Sequence, residues 1–447
     1  MRRTALLLLI PAAAMANTLE VGPGQPYAKP CDAIGSASPG DRIEVDSSGN
    51  YNGDTCEWTT DNLTIVGVGS GRAKIDLTGV TPVQEKGIFT VDAPNATIQS
   101  FEFSGAAIGS ADGNNGAGIR HGGTNLTVID CYFHDNQDGI LGSPPTAGSG
   151  SVTIESSEFA NNGAGDGFSH NMYLGDYGSV TVEASYSHGA KVGHLLKSRG
   201  YINNILYNRL TDETGTTASY EIDLPNGGTS YIIGNFIEQS AATGNPAIVS
   251  SGEEGTSNPD QHLFFVNNTV VNDLASGTFL SLATGTMPLV QNNIFHGAGT
   301  VSSLATATLM TNWTDAQGDP MLADPTNYDY HLLVGSPCID AGSVPGLGLD
   351  GQSLEPTEEY VQPEMVETRT IFGGAIDIGA DEVGGTSGGG GGITDGDDPT
   401  PTPSGGSGCC QAPGDAPPAL LVMVCAFWIG RGRRGASRRA CDRSSRL

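Results

Sequence analysis

Short apolar segments separated by turn residues recur from about residue 95 to residue 300, and no long helical period appears. One six-residue pattern returns eight times: a hydrophobic residue, two variable residues, a small polar residue or Asn, one variable residue and a second hydrophobic residue or small polar residue. The copies are IQSFEF, VIDCYF, IESSEF, VEASYS, YINNIL, IIGNFI, FVNNTV and VQNNIF. A second apolar segment follows each copy. Repetition at uneven spacing indicates a solenoid with a constant core strand and variable loops.

The fourth positions of the eight copies form one column. Its members are Phe101, Cys131, Ser157, Ser185, Asn204, Asn235, Asn268 and Asn293. Parallel coils stack about 4.8 Å apart, so residues of one column lie close together however far apart they are in sequence. The pattern predicts an all-β fold, a single-stranded right-handed parallel β-helix of roughly 8–10 coils. Asn204, Asn235, Asn268 and Asn293 are predicted to form a structural ladder of side-chain amides.

Both ends of the chain carry sorting features. Arg2 and Arg3 precede an apolar stretch, and Ala14-Met15-Ala16 has the form of a cleavage site. We predict a signal peptide over residues 1–16, removed by signal peptidase, in preference to a buried N-terminal helix.

The C-terminal part contains a linker and a short apolar tail. Residues 385–408 are Gly, Ser, Thr, Pro and Asp almost throughout, which is typical of a flexible tether. Residues 409–447 begin with Cys409 and Cys410, continue with the apolar run 419–429 and end in a segment with seven arginines. This tail resembles the MYXO-CTERM type of sorting signal, in which a protease cuts near the anchor cysteine. Either Cys409 or Cys410 is then the attachment residue, and a plain transmembrane anchor is the alternative.

The segments at the two ends of the solenoid also carry a resemblance. PYAKPCDAIGSASPGDRIEV resembles the entry of a pectin-lyase-like β-helix, with a short helix as N-terminal cap. The β-helix is therefore assigned to residues 17–300. The words DYHL, GSPCIDAG and DIGADE in residues 301–384 resemble the closing segment called a choice-of-anchor domain. Cys31 and Cys56 are close enough in sequence to bridge the N-terminal end, whereas Cys131 and Cys338 are expected to be buried thiols.

The exported part of the chain is strongly acidic. Two of the 20 basic residues lie in the leader and seven in the tail, and two of the 49 acidic residues lie in the tail, which leaves about 36 net negative charges between them. Such a surface repels nucleic acid and anionic membranes. We expect an exported monomer at the cell surface or outside the cell.

Candidate chemistry is concentrated in three neighbouring coils. Strand alternation places Lys197 and Arg199 on the outer face, because Leu196 and Ser198 point inward. The same rule predicts outward side chains for Asn171 and Tyr173 in the preceding coil and for Glu221 and Asp223 in the next. At the edges of this strip lie His170, His188 and His194, and Asn226 begins an Asn-Gly-Gly turn in which a ligand contact is an alternative to a purely structural role.

A polar, aromatic and basic strip suits a polysaccharide that contains uronate. In a lyase, Lys197 would act as the base, Arg199 would neutralise the sugar carboxylate, and Tyr173 or His170 would act as the acid. His194 belongs to the same catalytic set, with Asn171, His188 and Asn226 as substrate-binding residues. Glu221 and Asp223 would hold the cations in place, bind Ca²⁺ as the one cofactor left open, or hydrolyse a glycoside as a carboxylate pair.

Two interpretations remain open from the sequence. The first is a polysaccharide lyase. The second is a non-catalytic surface protein that binds glycan or acts in the envelope or in adhesion. The words typical of polygalacturonases, pectate lyases and β-helix epimerases are absent as sets, so the fold resemblance transfers no activity. The four charged residues of the strip also fit a solvated ion-pair network that needs no substrate.

Overall fold

The computed structural model describes residues 16–384, and the chain coils into a right-handed parallel β-helix, as predicted. Each coil passes in turn through three sheets, here named sheets I, II and III. Sheet I has twelve strands: Thr18–Val21, Arg42–Asp46, Leu63–Val68, Asn95–Gln99, Asn125–Ile129, Ser151–Glu155, Ser179–Glu183, Ile202–Leu206, Thr229–Ile233, His262–Val266, Met287–Gln291 and Thr308–Met310.

Sheets II and III have ten strands each, which agrees with the expected number of coils. The strands of sheet II are Ala73–Asp76, Phe101–Ser104, Tyr132–His134, Glu158–Ala160, Tyr186–His188, Arg209–Thr211, Phe236–Gln239, Thr269–Asn272, Ile294–Gly297 and Trp313–Thr314. The strands of sheet III are Cys56–Trp58, Gly87–Val91, Ala117–His121, Asp138–Gly142, Met172–Leu174, Leu196–Ser198, Ile222–Leu224, Ala247–Ser251, Thr278–Leu282 and Thr300–Ser302.

The N-terminal end is closed by one helix, Pro30–Ser36, whose Ala33 and Ile34 are buried against the first strands. Cys31 on this helix forms a disulfide with Cys56, with their Cα atoms 5.7 Å apart, which settles the pairing that the sequence left open. The stack begins at Thr18–Val21, which pairs in parallel with Arg42–Asp46. The remaining helical elements are short 3-10 turns at Ser110–Asp112, Pro325–Asn327 and Leu349–Gly351.

The closing segment flanks the β-helix. The parallel sheets extend past residue 300, to Thr314. The chain then forms two antiparallel hairpins, Leu322–Asp324 with Asp329–Leu332 and Glu358–Val361 with Met365–Thr368. Side chains from this segment pack on apolar residues of the outer face of sheet II, among them Tyr186, Phe236, Val271 and Ile294. Its DYHL and DIGADE motifs are in contact, because the backbone N–H of Leu332 donates a hydrogen bond to the Asp381 carboxylate.

Inward positions of sheet II are filled by the last residue of seven of the eight copies of the sequence pattern. Phe103, Phe133 and Phe159 stack on one another with ring centroids 5.2 and 4.8 Å apart. All three rings are completely buried. Offset and stacked aromatic pairs add specific geometry to the burial of apolar area, which fixes one coil above the next.

A ladder of polar side chains occupies the corner between sheets I and II. From Cys131 onward, each backbone N–H of the column donates to the side-chain oxygen of the next coil, at 2.8–3.2 Å. The residues that accept these bonds are Ser157, Ser185, Asn208, Asn235, Asn268, Asn293 and Asn312. The residue before each member has a positive φ, as in Tyr207 with φ 53° and Asn267 with φ 51°. The corner therefore combines a left-handed turn with an inward amide or hydroxyl.

The prediction of Asn204 as a ladder residue is wrong. Asn204 lies in the middle of a sheet I strand, between Thr181 and Tyr231 of the neighbouring strands, and its amide donates to the Thr181 hydroxyl. The ladder position belongs to Asn208. The prediction chose Asn204 because the overlapping segments ILYNRL and YINNIL fit the sequence pattern equally well. The other three predicted members, Asn235, Asn268 and Asn293, occupy the column as expected.

The predicted signal peptide falls almost wholly outside the described residues, and the linker and the sorting tail with Cys409 and Cys410 lie beyond them. Within residues 16–384, no helix is long and apolar enough to cross a membrane. Cys131 and Cys338 are buried free thiols, as expected.

Asn208→Leu is expected to lower the free energy of unfolding by about 1–3 kcal/mol, because the Ser185 amide and the Asn235 partner would lose buried hydrogen bonds. Asn204→Leu is the matched control, since its amide is partly exposed, and should change the stability by less than about 1 kcal/mol. Urea denaturation of both variants measures the difference. Equal losses for the two would contradict the corrected register.

Candidate active site

The outer face of sheet III carries one continuous column of side chains, here named the outer column. Strand pairing places its members one above another in the order Arg120, Leu141, Tyr173, Lys197, Asp223, Ser250 and Ser281. The flanking residues Leu196, Ile222 and Leu224 belong to the core. Strand alternation therefore brings Tyr173, Lys197 and Asp223 together, as the sequence predicted.

Lys197 lies at the centre of an ion-pair network. Its Nζ is 3.2 Å from Oδ2 of Asp223 and 3.1 Å from Oε1 of Glu254. The Ser250 hydroxyl donates to the other oxygen of Asp223 at 2.7 Å. Lys197 and Asp223 are only 8% and 2% exposed, so this pair is largely shielded from water. Electrostatic contacts in such a place are stronger than on an open surface.

Arg199 joins the same network from one residue beyond the strand. Its Nε donates to the Tyr173 hydroxyl at 2.9 Å, its second nitrogen donates to Asn226, and its third lies 2.6 Å from Glu254. Burial alone would lower the Arg199 pKa, but the bonds to Tyr173 and Glu254 outweigh it and raise the pKa. Asn226 therefore lies beside the outer column as a partner of Arg199, and its role in substrate binding stays a prediction.

Glu254 was not found by sequence reasoning. It lies in the loop that follows the strand Ala247–Ser251, and its side chain is 50% exposed. Its carboxylate bridges Lys197 and Arg199. Partial burial would raise the Glu254 pKa, yet the bonds from Arg199 and Lys197 hold the pKa below its ordinary value. Loop length varies from coil to coil, so no repeat signal could have placed this residue.

Two histidines stack beside the outer column. The rings of His170 and His194 are 4.4 Å apart, and each Nδ1 accepts a backbone N–H, from His194 at 2.9 Å and from Tyr220 at 3.3 Å. Each ring therefore carries its proton on Nε2. The Nε2 of His194 points toward Asp223 at 3.6 Å.

Both histidines are neutral. Burial, together with the nearby His194, Lys197 and Arg199, holds the His170 pKa well below its ordinary value. Burial lowers the pKa of His194 to about 4, although Asp223 acts in the opposite direction. A neutral imidazole whose Nδ1 is already an acceptor can donate a hydrogen bond through Nε2–H, but that N–H is far too weakly acidic to serve as the general acid. The expectation that His170 serves as the acid does not fit this arrangement.

Glu221 and Asn171 do not face the strip. Both lie one residue before a sheet III strand, where the chain turns the corner from sheet II, and both are completely buried. The Asn171 amide donates to backbone carbonyls of Phe159 and His188 inside the coil. The prediction that both point outward is wrong, because the alternation of in and out begins only at the first strand residue.

The interior position of Glu221 changes its chemistry. Neither of its carboxyl oxygens has a hydrogen-bond partner. Burial, reinforced by the carboxyls of Asp212 and Glu238, raises the Glu221 pKa well above its ordinary value. Because Glu221 lies inside the coil and Asp223 lies on the outer face, the two cannot act as a hydrolytic carboxylate pair or as joint Ca²⁺ ligands.

His188 also lies away from the strip. It occupies a strand of sheet II, where its ring stacks on Tyr186 and its Nε2 is 3.1 Å from Glu158. In residues 16–384, no three His, Cys, Asp or Glu side chains are grouped so that they could hold a metal ion. The described residues therefore do not fit the Ca²⁺ site that the sequence left open.

A cavity of about 440 Å³ lies elsewhere, on sheet I beside the turn Leu349–Gly351. Its lining includes Tyr231, Asp260 and Asp350 and no cationic side chain. Two carboxylates without a cation would repel an acidic sugar. The outer column is therefore the better candidate for binding one.

Comparison with known proteins identifies the class of fold. No family model matches the chain, and no curated protein matches it. Among solved structures, the pectate lyase Pel9A matches with a TM-score of 0.55 and 14% identity, over 83% of this chain and 97% of that one. The protein is thus similar in fold to a pectate lyase, and at this identity the likeness shows the fold alone.

Two further solved structures are more distant. An alginate lyase from Paenibacillus sp. str. FPU-7 matches with a TM-score of 0.38 and 16% identity, over 67% of this chain and 99% of that chain. The Dettilon tailspike protein matches with a TM-score of 0.33 and 12% identity, over 67% of this chain and 60% of that chain.

Glu221→Gln is expected to stabilise the protein more at pH 8 than at pH 5. The raised pKa of Glu221 means that the unfolded chain loses this proton first, so wild-type stability falls as the pH rises above the unfolded value of about 4.3, by up to about 1.4 kcal/mol per pH unit. The amide does not titrate and removes that loss. The melting temperatures of wild type, Glu221→Gln and the exposed control Glu253→Gln, measured at both pH values, give the comparison. A pH-independent effect would contradict a protonated Glu221.

Proposed function

We propose that the protein binds an acidic polysaccharide along the outer face of sheet III and cleaves it by β-elimination. One observation carries the proposal: Lys197 and Arg199 hold a carboxylate between them, that of Glu254, on a loop and half exposed. A uronate carboxylate has the same charge and size. It can take the place of Glu254 and bind both cations, since Arg is suited to bidentate contacts with carboxylates.

The charge balance supports an exchange of carboxylates. Lys197 and Arg199 are matched by Asp223 and Glu254, so the network as it stands has no net charge. Departure of Glu254 leaves one positive charge in a site on a strongly acidic protein. That charge attracts a uronate and distinguishes it from a neutral sugar.

The surroundings also suit a sugar. Tyr173 is partly exposed and offers a hydroxyl beside the Arg199 guanidinium. Phe168 is 80% exposed on the loop that leads to His170. Ligand sites of this kind combine aromatic faces with a few fixed polar groups. The pectate lyase with the matching fold acts on pectate, which agrees with a uronate polymer as substrate.

The proposed roles in β-elimination follow from the contacts. Arg199 binds the carboxylate and thereby makes the C5 proton easier to remove. Lys197 is the proposed base: after its ammonium group releases a proton to solvent, the amine takes the C5 proton, the electron pair forms the C4–C5 double bond, and the bond from C4 to the leaving oxygen breaks. The Tyr173 oxygen accepts a hydrogen bond from Arg199, which stabilises the phenolate that remains when Tyr173 donates its proton to the leaving oxygen.

The second candidate is a non-catalytic glycan-binding protein of the cell surface. The observation that favours it is the neutrality of His170 and His194, which leaves Lys197 and Tyr173 as the proton carriers of the outer column. In that case the site would bind a uronate but release no unsaturated product.

We further propose that the protein is exported and tethered at the cell surface or released from it. The leader, the tail and the acidic exported part support this proposal. The Cys31–Cys56 disulfide is in accord with an oxidising compartment.

Lys197→Ala is expected to abolish release of unsaturated product from a uronate polymer, and Arg199→Ala to weaken binding by about 2–4 kcal/mol. Glu254→Gln should bind more tightly than wild type because the competing charge is gone. The measurements are absorbance of the C4–C5 double bond and calorimetric titration with a panel of uronate polysaccharides. Lys74→Ala on sheet II is the matched control, since it also removes a lysine paired with a glutamate.

If wild type binds a uronate polymer but releases no unsaturated product, and Arg199→Ala loses that binding, the protein is a glycan-binding protein and not a lyase. A Lys197→Ala, Arg199→Ala double variant with the binding and turnover of wild type would refute both, and the network would then be structural.

A further inference from the structure

Arg120 lies on the same outer column as Lys197, nearer the N-terminal end of the β-helix. Strand pairing runs from Arg120 to Leu141, then to Tyr173, then to Lys197. Three strand spacings separate Arg120 from Lys197, which is about 14 Å along the axis. A polysaccharide that follows the outer column from Lys197 toward the N-terminal end therefore passes over Leu141 and reaches Arg120.

Arg120 differs from the other arginines in the described part of the chain. Every one of the other five forms an ion pair with Asp or Glu: Arg42, Arg72, Arg199, Arg209 and Arg369. Arg120 has neither an ion pair nor a side-chain hydrogen bond with any residue in 16–384, although it is partly buried. In a protein with a large excess of acids, an uncompensated guanidinium is unusual and free to bind a ligand.

The nearby carboxyls do not neutralise Arg120 by contact. Asp138 and Asp92 influence it electrostatically, but neither comes within ion-pair distance. Asp138 is completely buried, and burial raises its pKa to about 8, so it is largely protonated at neutral pH. The strand neighbours of Arg120 in the column, Thr90 and Leu141, carry no charge.

We propose that Arg120 is a second carboxylate-binding subsite, for a uronate of the same polysaccharide that Lys197 and Arg199 bind. This inference rests on the proposed function and deepens it: the substrate is a chain with more than one carboxylate, long enough to extend three coils from Lys197. A guanidinium without a protein partner supplies the two parallel donors that a carboxylate accepts. The chain would lie along the axis, with Leu141 and Tyr173 beneath the sugars between the two subsites.

The test uses oligouronates of defined length with the exported protein. Arg120→Ala should weaken binding of long oligouronates, which span the about 14 Å to Arg120, by about tenfold. Binding of short oligouronates, which reach only Lys197 and Arg199, should be unchanged. Arg120→Lys should recover part of the loss. Arg42→Ala is the matched control, because it removes an arginine from the outer face of sheet I.

The outcomes separate the two proposals. Equal affinity of wild type and Arg120→Ala for long oligouronates, with binding still lost in Arg199→Ala, would overturn the subsite and leave the proposed function standing. An equal loss for short and long oligouronates would also overturn it, since the effect would then be one of general charge or folding. If wild type bound no oligouronate of any length, both proposals would fail.

Discussion

The stacking register of successive coils is held at the corner between sheets I and II, and every contact of the candidate site depends on it. There a left-handed residue turns the chain, and the next residue directs an amide or hydroxyl inward to accept the backbone N–H of the coil before it. Each ladder side chain satisfies a buried donor, so a shift of one residue would leave several donors unpaired at once. Apolar residues such as Phe133 and Phe159 stack beside this ladder and exclude water from it.

A fixed register converts distance in sequence into contact in space. Tyr173, Lys197 and Asp223 come from three coils and lie one strand apart. The site therefore needs no special loop to assemble its column, and the scaffold can keep the column while loops change. The element that does come from a loop is Glu254, which bridges Lys197 and Arg199. In the proposed function, it is the group that a substrate carboxylate replaces.

The sequence predicted those parts of the structure that follow from periodicity. The eight repeated segments indicated the coils, and alternation within short strands placed Lys197 and Asp223 on one face. The failures lie where periodicity stops. Glu221 precedes its strand at a corner, so alternation does not apply to it, and Asn204 was chosen because two overlapping segments fit one pattern. The left-handed conformation of Tyr207, just before Asn208, distinguishes the two registers. The sequence does not indicate it, because tyrosine rarely adopts that conformation.

Other features depend on distances that only the fold provides. Ser250 belongs to the outer column because its strand pairs with that of Asp223. The variable lengths of the loops hide this pairing in the sequence. His188 was predicted to lie near the strip because it is close in sequence to His194 and Lys197. Each coil has three faces, however, and His188 lies on sheet II. His170 is neutral because it is buried and because its Nδ1 accepts a hydrogen bond from the backbone N–H of His194. Neither its burial nor this hydrogen bond can be inferred from residue types alone.

The central claim is that the site of Lys197 and Arg199 is made to hold a carboxylate from outside the protein. A crystal structure of the protein with a bound oligouronate, prepared with the Tyr173→Phe variant to prevent turnover and keep both cations, tests it most directly. The account predicts a sugar carboxylate on the Arg199 guanidinium, with the Glu254 side chain moved away from it and the sugar chain along the outer face of sheet III. An oligouronate bound elsewhere, with Glu254 still on Arg199, would contradict it.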